Sequence, residues 1–198
     1  MRKFAALGLV TALGMGGAAV AAEGVSHTYV EAGYGYSEFG GGAVTDSDGY
    51  KLGASLELPA NFILSASYRD FSYGTFAGDL SELSAGAAYK WALGSSFDLT
   101  TGASFEQLDA DTTDFSGFAL NVGARGRVTD TVELEAGLRY HDWESDSGLP
   151  TSFSAVLGVR KYFTRAFAGG VEVRKSELLV IGETSFIATL RYDFGMLF

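Results

Sequence analysis

Few residues of this chain could carry chemistry, and its two histidines come first. His141 stands beside Asp142 and Trp143, and an imidazole close to Asp142, Asp70 or Glu106 could act as a general base. Adjacent residues of a strand point to opposite faces, so His141 and Asp142 are not a dyad by themselves. His27 lies near the start of the first predicted strand, and no nucleophile stands out among the many Ser and Thr. No catalytic residue is assigned on this basis.

Clustered carboxylates are the second constellation, because hard cations prefer oxygen ligands. Asp46-Ser47-Asp48-Gly49 and Asp109-Ala110-Asp111 with Asp114 are the best segments, and neither completes an EF-hand loop. Asp46, Asp48, Asp109, Asp111 and Asp114 are therefore candidates for loosely bound Ca²⁺ or Mg²⁺. No firm metal site and no other cofactor is expected. The chain as a whole carries 24 acidic and 14 basic residues, a poor balance for nucleic acid, whose binding rests on cationic contacts to phosphate. Cysteine is absent, so no disulfide helps the fold.

The elements that position these groups follow from a period of two, the signature of strands. Val30, Ala32, Tyr34 and Tyr36 alternate with Glu31, Gly33 and Gly35; Leu52, Ala54, Leu56 and Leu58 alternate with Lys51, Gly53, Ser55 and Glu57. The same pattern predicts ten strands at about 27–39, 48–58, 62–73, 81–91, 97–108, 116–127, 132–144, 152–163, 166–177 and 184–198. Pro59-Ala60-Asn61 makes a tight turn. Connections near Ala60, Ser95, Thr129 and Thr164 are short, and the alternate ones are mostly longer, as in outer-membrane barrels.

One face of this pattern is almost wholly apolar and free of charge. Its aromatics gather toward two rims, with Tyr34, Tyr36, Tyr50, Tyr68 and Tyr140 at one and Tyr89, Trp91, Phe97, Phe163, Phe167 and Tyr192 at the other. A soluble sandwich or lipocalin would bury this face and has no reason to segregate the rings. The other face carries Glu31, Lys51, Glu57, Arg69, Lys90, Asp98, Glu106, Arg125, Arg127, Glu133, Glu135, Arg139, Arg160, Glu172, Arg174, Arg191 and Asp193, with Glu82 at the edge of its strand. Closed into a barrel, this set becomes a balanced lumen charge network, since an unpaired charge in a confined interior is costly. The excess acid falls on the external rim: Glu38, Asp46, Asp48, Asp70, Asp79, Asp109, Asp111, Asp114, Asp142, Glu144, Asp146, Glu177 and Glu183.

Arg2 and Lys3, an apolar run from Phe4 and the small residues up to Ala22 have the layout of a secretory signal, cut between Ala22 and Glu23, with Ala21 as the alternative site. That reading makes 1–22 a signal peptide and 23–198 an outer-membrane barrel domain; loss of Arg2 and Lys3 takes the net charge from −10 to −12.

Tyr29-Val30-Glu31-Ala32-Gly33-Tyr34 and Leu58-Pro59-Ala60-Asn61-Phe62 resemble a proteobacterial group of small outer-membrane β-barrels of the OmpA/OmpX type, porin-family-like. The final stretch, with Tyr192, Phe194, Met196 and Phe198 in one register, resembles the recognition strand read by the outer-membrane assembly machinery. The resemblance implies an all-β, transmembrane, antiparallel up-and-down barrel in a Gram-negative outer membrane, with both termini periplasmic. Its partners would be lipid, lipopolysaccharide and the assembly machinery, and a monomer suffices. The pattern departs from the eight-stranded members in reading as ten strands, with eight as the alternative. The expected role is structural or surface-interacting with a closed lumen. A narrow channel for small polar solutes is the next reading, and a barrel protease or lipid A-modifying enzyme the last.

Overall fold

Alternation of this kind can be satisfied only where every strand has one polar and one apolar environment, and the chain achieves this by closing a single sheet. The computed structural model describes residues 25–39, 47–72, 79–110, 113–144, 149–177 and 182–194. The segment 1–22, Glu23, Asp46, Asp111, Asp146, Met196 and Phe198 lie outside the described residues. Ten strands follow one another: β1 (Tyr29–Phe39), β2 (Ser47–Leu58), β3 (Phe62–Ser72), β4 (Asp79–Ala92), β5 (Phe97–Ala110), β6 (Thr113–Thr129), β7 (Val132–Trp143), β8 (Ser152–Tyr162), β9 (Phe167–Ser176) and β10 (Glu183–Asp193). Each pairs antiparallel with its neighbours in sequence, and β1 pairs with β10 from Tyr29↔Asp193 to Phe39↔Glu183, so no edge is left. The barrel has ten strands, as the alternation predicted, and not eight.

Turn chemistry fixes one end. Pro59–Asn61 joins β2 to β3, with Ala60 and Asn61 both in the left-handed region at φ 63° and 65°. The β6–β7 and β8–β9 turns share one device: Thr129 Oγ1 accepts from the backbone N–H of Val132 at 3.0 Å, and Thr164 Oγ1 accepts from that of Phe167 at 3.0 Å. The start of β1 and the end of β10 lie at this turn end; the longer connections lie at the other, the loop end. β10 pairs with β1 as far as Asp193, and the Phe194 N–H still donates to the Thr28 carbonyl at 3.0 Å; the expected continuation through 195–198 lies outside the described residues.

Packing is inside-out relative to a soluble protein. Leu138, Leu157 and Phe118 project outward with about two-thirds of their surface exposed, and nearly all the large side chains of the apolar face are exposed with them. Glu133, Glu106, Arg191 and His141 are buried inside at 2% exposure or less. In water such an apolar belt would forfeit roughly 25 cal/mol for every Å² left wet; against hydrocarbon the penalty vanishes. The wall is therefore lipid-facing, with Tyr89, Trp91 and Phe62 in edge-on contact near the turn end and Tyr50 against Tyr68 near the loop end.

Apolar groups also enter the lumen at the loop end. Phe71 and Ile187 pack together with Leu80, while Leu108 and Trp143 pack with Leu80, Phe115 and Leu149. Gly35 and Gly49 lie between Ile187 and Phe71 in the register. A Cβ at Gly35 would come within 2.8 Å of Ile187 Cγ1, and one at Gly49 within 2.8 Å of the Phe71 ring. The two glycines are the gap through which these side chains meet.

Candidate functional site

The lumen charges form two separate ion-pair networks. Toward the turn end, Glu31 on β1 holds Arg160 of β8 at 2.9 Å, Arg191 of β10 at 2.8 Å and Lys51 of β2 at 3.3 Å. Lys51 also pairs with Glu172 of β9. Glu133 of β7 takes Arg125 of β6 at 2.8 Å and Arg160 at 2.7 Å, with Arg191 at 3.6 Å. Glu135 adds contacts of 3.3 to 4.0 Å to Arg160, Arg191 and Arg125. Arg191 further lies 3.6 Å over the ring of Tyr29, and Arg127 lies 4.7 Å over that of Tyr162.

The second network lies toward the loop end. Glu82 of β4 is its hub: Arg69 of β3 reaches it at 3.2 Å, Arg174 of β9 at 3.1 Å and Arg139 of β7 at 3.7 Å. Arg69 also binds Glu183 of β10 at 2.9 Å, and Ser37 donates to the same carboxylate at 2.7 Å. Glu183 was expected on the acidic outer rim; it is buried in the lumen instead. Its strand begins one residue earlier than predicted, which gives it the same inward parity as Ser185 and Ile187. Among the described residues no ion pair joins the two networks, and Glu135 and Arg139, four residues apart on β7 with one in each network, keep 26% and 28% of their side-chain surface exposed.

Two smaller contacts lie near the turn end. Lys90 pairs with Glu57 near the turn end. Residues 25–28 then fold into the turn-end mouth, a feature the sequence pattern did not signal. His27 Nε2 meets Asp98 of β5 at 3.1 Å, and Arg125 Nη1 donates to the Ser26 carbonyl at 2.9 Å and to His27 Nδ1 at 3.3 Å. Arginine can only donate, so Nδ1 accepts and Nε2 carries the proton toward Asp98. Burial holds the His27 pKa below the ordinary 6.5, against the raising effect of its bond to Asp98 and with the help of the Arg125 charge. Since β1 and β5 stand well apart around the barrel, this segment spans the opening. Asp193 is also buried at this end.

His141 faces inward as well. Its Nδ1 meets Glu106 Oε2 at 2.5 Å and its Nε2 meets Ser154 Oγ at 2.9 Å, while the Trp143 ring stacks on it with centroids 5.8 Å apart. Glu106, rather than Asp142 or Asp70, is thus the carboxylate at this imidazole. Asp142 is exposed outside.

On the outer rim, tyrosines tie the acids down. Tyr34 OH donates to Asp48, and Tyr50 and Tyr68 donate to Asp70 at 3.2 and 3.0 Å. Asp109 and Asp114 stand opposite each other across β5 and β6, both exposed. Among the described residues, no group of three or more His, Asp or Glu side chains converges to hold a metal ion. Of the proposed assembly signal, Tyr192 packs edge-on against Phe194 at 5.0 Å.

No family model and no curated protein matches this sequence. Among solved structures, the chain is similar to the NanC porin, with a TM-score of 0.51 and 10% identity over 83% of this chain and 100% of that one. It is also similar to an outer-membrane channel from Pseudomonas putida F1, with a TM-score of 0.50 and 11% identity over 85% of this chain and 95% of that one. The fold is that of an outer-membrane β-barrel. For an outer-membrane barrel the inside-out packing has its ordinary meaning: exposed leucines and phenylalanines against lipid tails, and a polar interior. At such identities the likeness speaks for the fold alone.

Proposed function

We propose that this barrel is a non-conducting wall protein of the Gram-negative outer membrane, with its termini on the periplasmic side and its acidic loop end presented outward for surface contacts. The observation that carries this reading is the set of ion pairs spanning the lumen. Arg174 on β9 reaches Glu82 on β4, Arg69 on β3 reaches Glu183 on β10, and Arg160 on β8 reaches Glu31 on β1. Each joins strands that are not neighbours in the sheet. A solute would have to push through both layers, and each buried pair broken leaves uncompensated charge worth several kcal/mol. The wide aqueous pores of this architecture need ~16 strands. On the outside, Asp48, Asp79, Asp109, Asp114, Asp142 and Glu144 are exposed, which suits contact with cationic groups or with lipopolysaccharide through divalent cations.

Planar-bilayer recording of the refolded full chain tests the reading: no discrete current steps are expected, and a reproducible open state overturns it. A narrow polar path is the second reading, favoured by the exposed surface that Glu135 and Arg139 keep inside the barrel. The NanC porin and the Pseudomonas channel share the fold without fixing the choice. Calorimetry with Ca²⁺ at millimolar concentration tests the rim; absence of heat removes the divalent bridge from the proposal.

A further inference from the structure

The contacts of His141 amount to more than a satisfied histidine. Glu106 takes donors from two serines and an arginine on its other oxygen, and as an acceptor toward the ring it receives Nδ1–H at 2.5 Å. That tautomer leaves the Nε2 lone pair facing Ser154 Oγ at 2.9 Å, the distance and direction for taking a hydroxyl proton. Glu106 is itself held: Ser84 and Ser104 donate to its other oxygen at 3.3 and 3.2 Å, and Arg139 at 2.9 Å. A hydroxyl, an imidazole and an anchored carboxylate in this order are the components of an activated serine. The serine had not stood out from the sequence; the approach of β5, β7 and β8 selects it.

A second, independent observation lies beside it. Ser152 precedes Ser154 by two residues on the same inward face, and Ser176 of β9 stands opposite Ser154 in the register. Both are buried, at 3% and 1% exposure, and both hydroxyls lack a hydrogen-bond partner. A buried donor without a partner is costly and calls for one. Two such donors flanking a nucleophile are placed to receive the oxygen of a bound acyl group as it gains negative charge. Beyond His141, toward the loop end, Trp143 and Leu108 supply an apolar surface with Leu149 packed against it.

We propose that Ser154, His141 and Glu106 form a nucleophilic site for small carboxylic esters with an apolar portion. Ser154 Oγ attacks the carbonyl carbon, its proton passes to His141 Nε2, and the tetrahedral oxygen takes hydrogen bonds from Ser152 and Ser176. The ester C–O bond then breaks, and the leaving alcohol receives the proton from His141. Water repeats the attack on the acyl-serine with the same base, releasing the carboxylic acid and restoring Ser154. Ser154 and His141 are the catalytic residues, and Glu106 is the positioning residue that sets the tautomer. This site goes beyond a closed wall protein and does not need ionic conduction, since Glu106 is bonded to Arg139 of the loop-end network and an ester entering from that end need not cross the turn-end layer.

The test uses the refolded full chain in detergent with a small alkyl fluorophosphonate, which transfers its phosphonyl group to an activated serine with loss of fluoride. Intact-mass and peptide analysis should show one adduct, on Ser154, and hydrolysis of p-nitrophenyl acetate should fall with its formation. His141→Gln should slow labelling about 100-fold or more. Glu106→Gln should lower the maximal labelling rate while leaving the half-saturating probe concentration unchanged, which a mere loosening of the barrel would not do. Ser65→Ala, a lumen-side serine on β3 outside the site, serves as control and should label as the parent does. Site mapping on the parent protein keeps the test valid should a variant fail to fold. No adduct, an adduct spread over several serines, or labelling indifferent to His141→Gln in a folded barrel overturns the proposal and leaves an oriented lumen histidine only.

Discussion

Arg191→Met is the sharpest perturbation of the turn-end network. Arg191 is 2% exposed and its guanidinium meets Glu31 at 2.8 Å, Glu133 at 3.6 Å and Glu135 at 3.7 Å, over the face of Tyr29. The network holds four carboxylates, Glu31, Glu133, Glu135 and Glu172, against four cations, Lys51, Arg125, Arg160 and Arg191. Methionine keeps most of the volume but leaves one buried negative charge unmatched. Removing one member of a buried pair costs ~3–5 kcal/mol, far above the ~0–1 kcal/mol of an exposed pair. At a urea slope of about 2 kcal/mol/M, the unfolding midpoint should fall by about 2 M. The assay is equilibrium urea unfolding in phospholipid vesicles, read by the fluorescence of Trp91 and Trp143. Neutralising the orphan in Arg191→Met/Glu31→Gln restores three against three and should recover about half the loss. A loss below about 1 kcal/mol, or a double variant no more stable than the single, would refute charge balance as what holds this interior together.

Three further expectations concern other regions of the molecule. On the lipid face, Leu157→Arg, at a residue 65% exposed, should cost ~2–4 kcal/mol in vesicles if it lies near the bilayer midplane; a neutral effect would argue against lipid contact there. In the β2–β3 turn, Ala60 holds φ 63°, so Ala60→Gly should stabilise by about 0.5–1 kcal/mol in the same titration, the reverse of the usual sign for this change. At the turn-end mouth the native state keeps His27 neutral where an unfolded chain would take up a proton. The native state therefore binds fewer protons as pH falls below about 6.5, and stability should decline across that window and be flat above it. His27→Gln should flatten the slope measured by unfolding midpoints between pH 7 and about 5.

The wall of the barrel was legible in the sequence because period two and turn spacing are local properties. β6 runs two or three residues longer at each end than the alternation marked, since cross-strand pairing with β5 carries it on to Thr113. Glu183 was assigned to the wrong side for the same local reason: a one-residue error in a strand start moves a side chain from rim to lumen. The inward face itself could be read, but not who meets whom on it. Glu82 and Arg174 are 92 positions apart, and Ser154 is one inward serine among many until β7 brings His141 beside it. The crossing of the mouth by residues 25–28 has no periodic signal at all, since it depends on Asp98 and Arg125 being across from the chain's entry.

The lumen-spanning pairs also act as a ruler for circumference. With strands about 4.8 Å apart and tilted about 40°, adding or removing one hairpin changes the barrel diameter by about 4 Å. A hydrogen-bonded ion pair tolerates only a few tenths of an ångström of stretch. Arg174 reaching Glu82 and Arg160 reaching Glu31 are therefore satisfied at one strand number, ten, and strand duplication or loss would strand both networks at once. Barrels can grow by copying hairpins when their interiors are wet; this one could do so only after replacing its interior, which makes its size a property inherited from its charges as much as from its sheet.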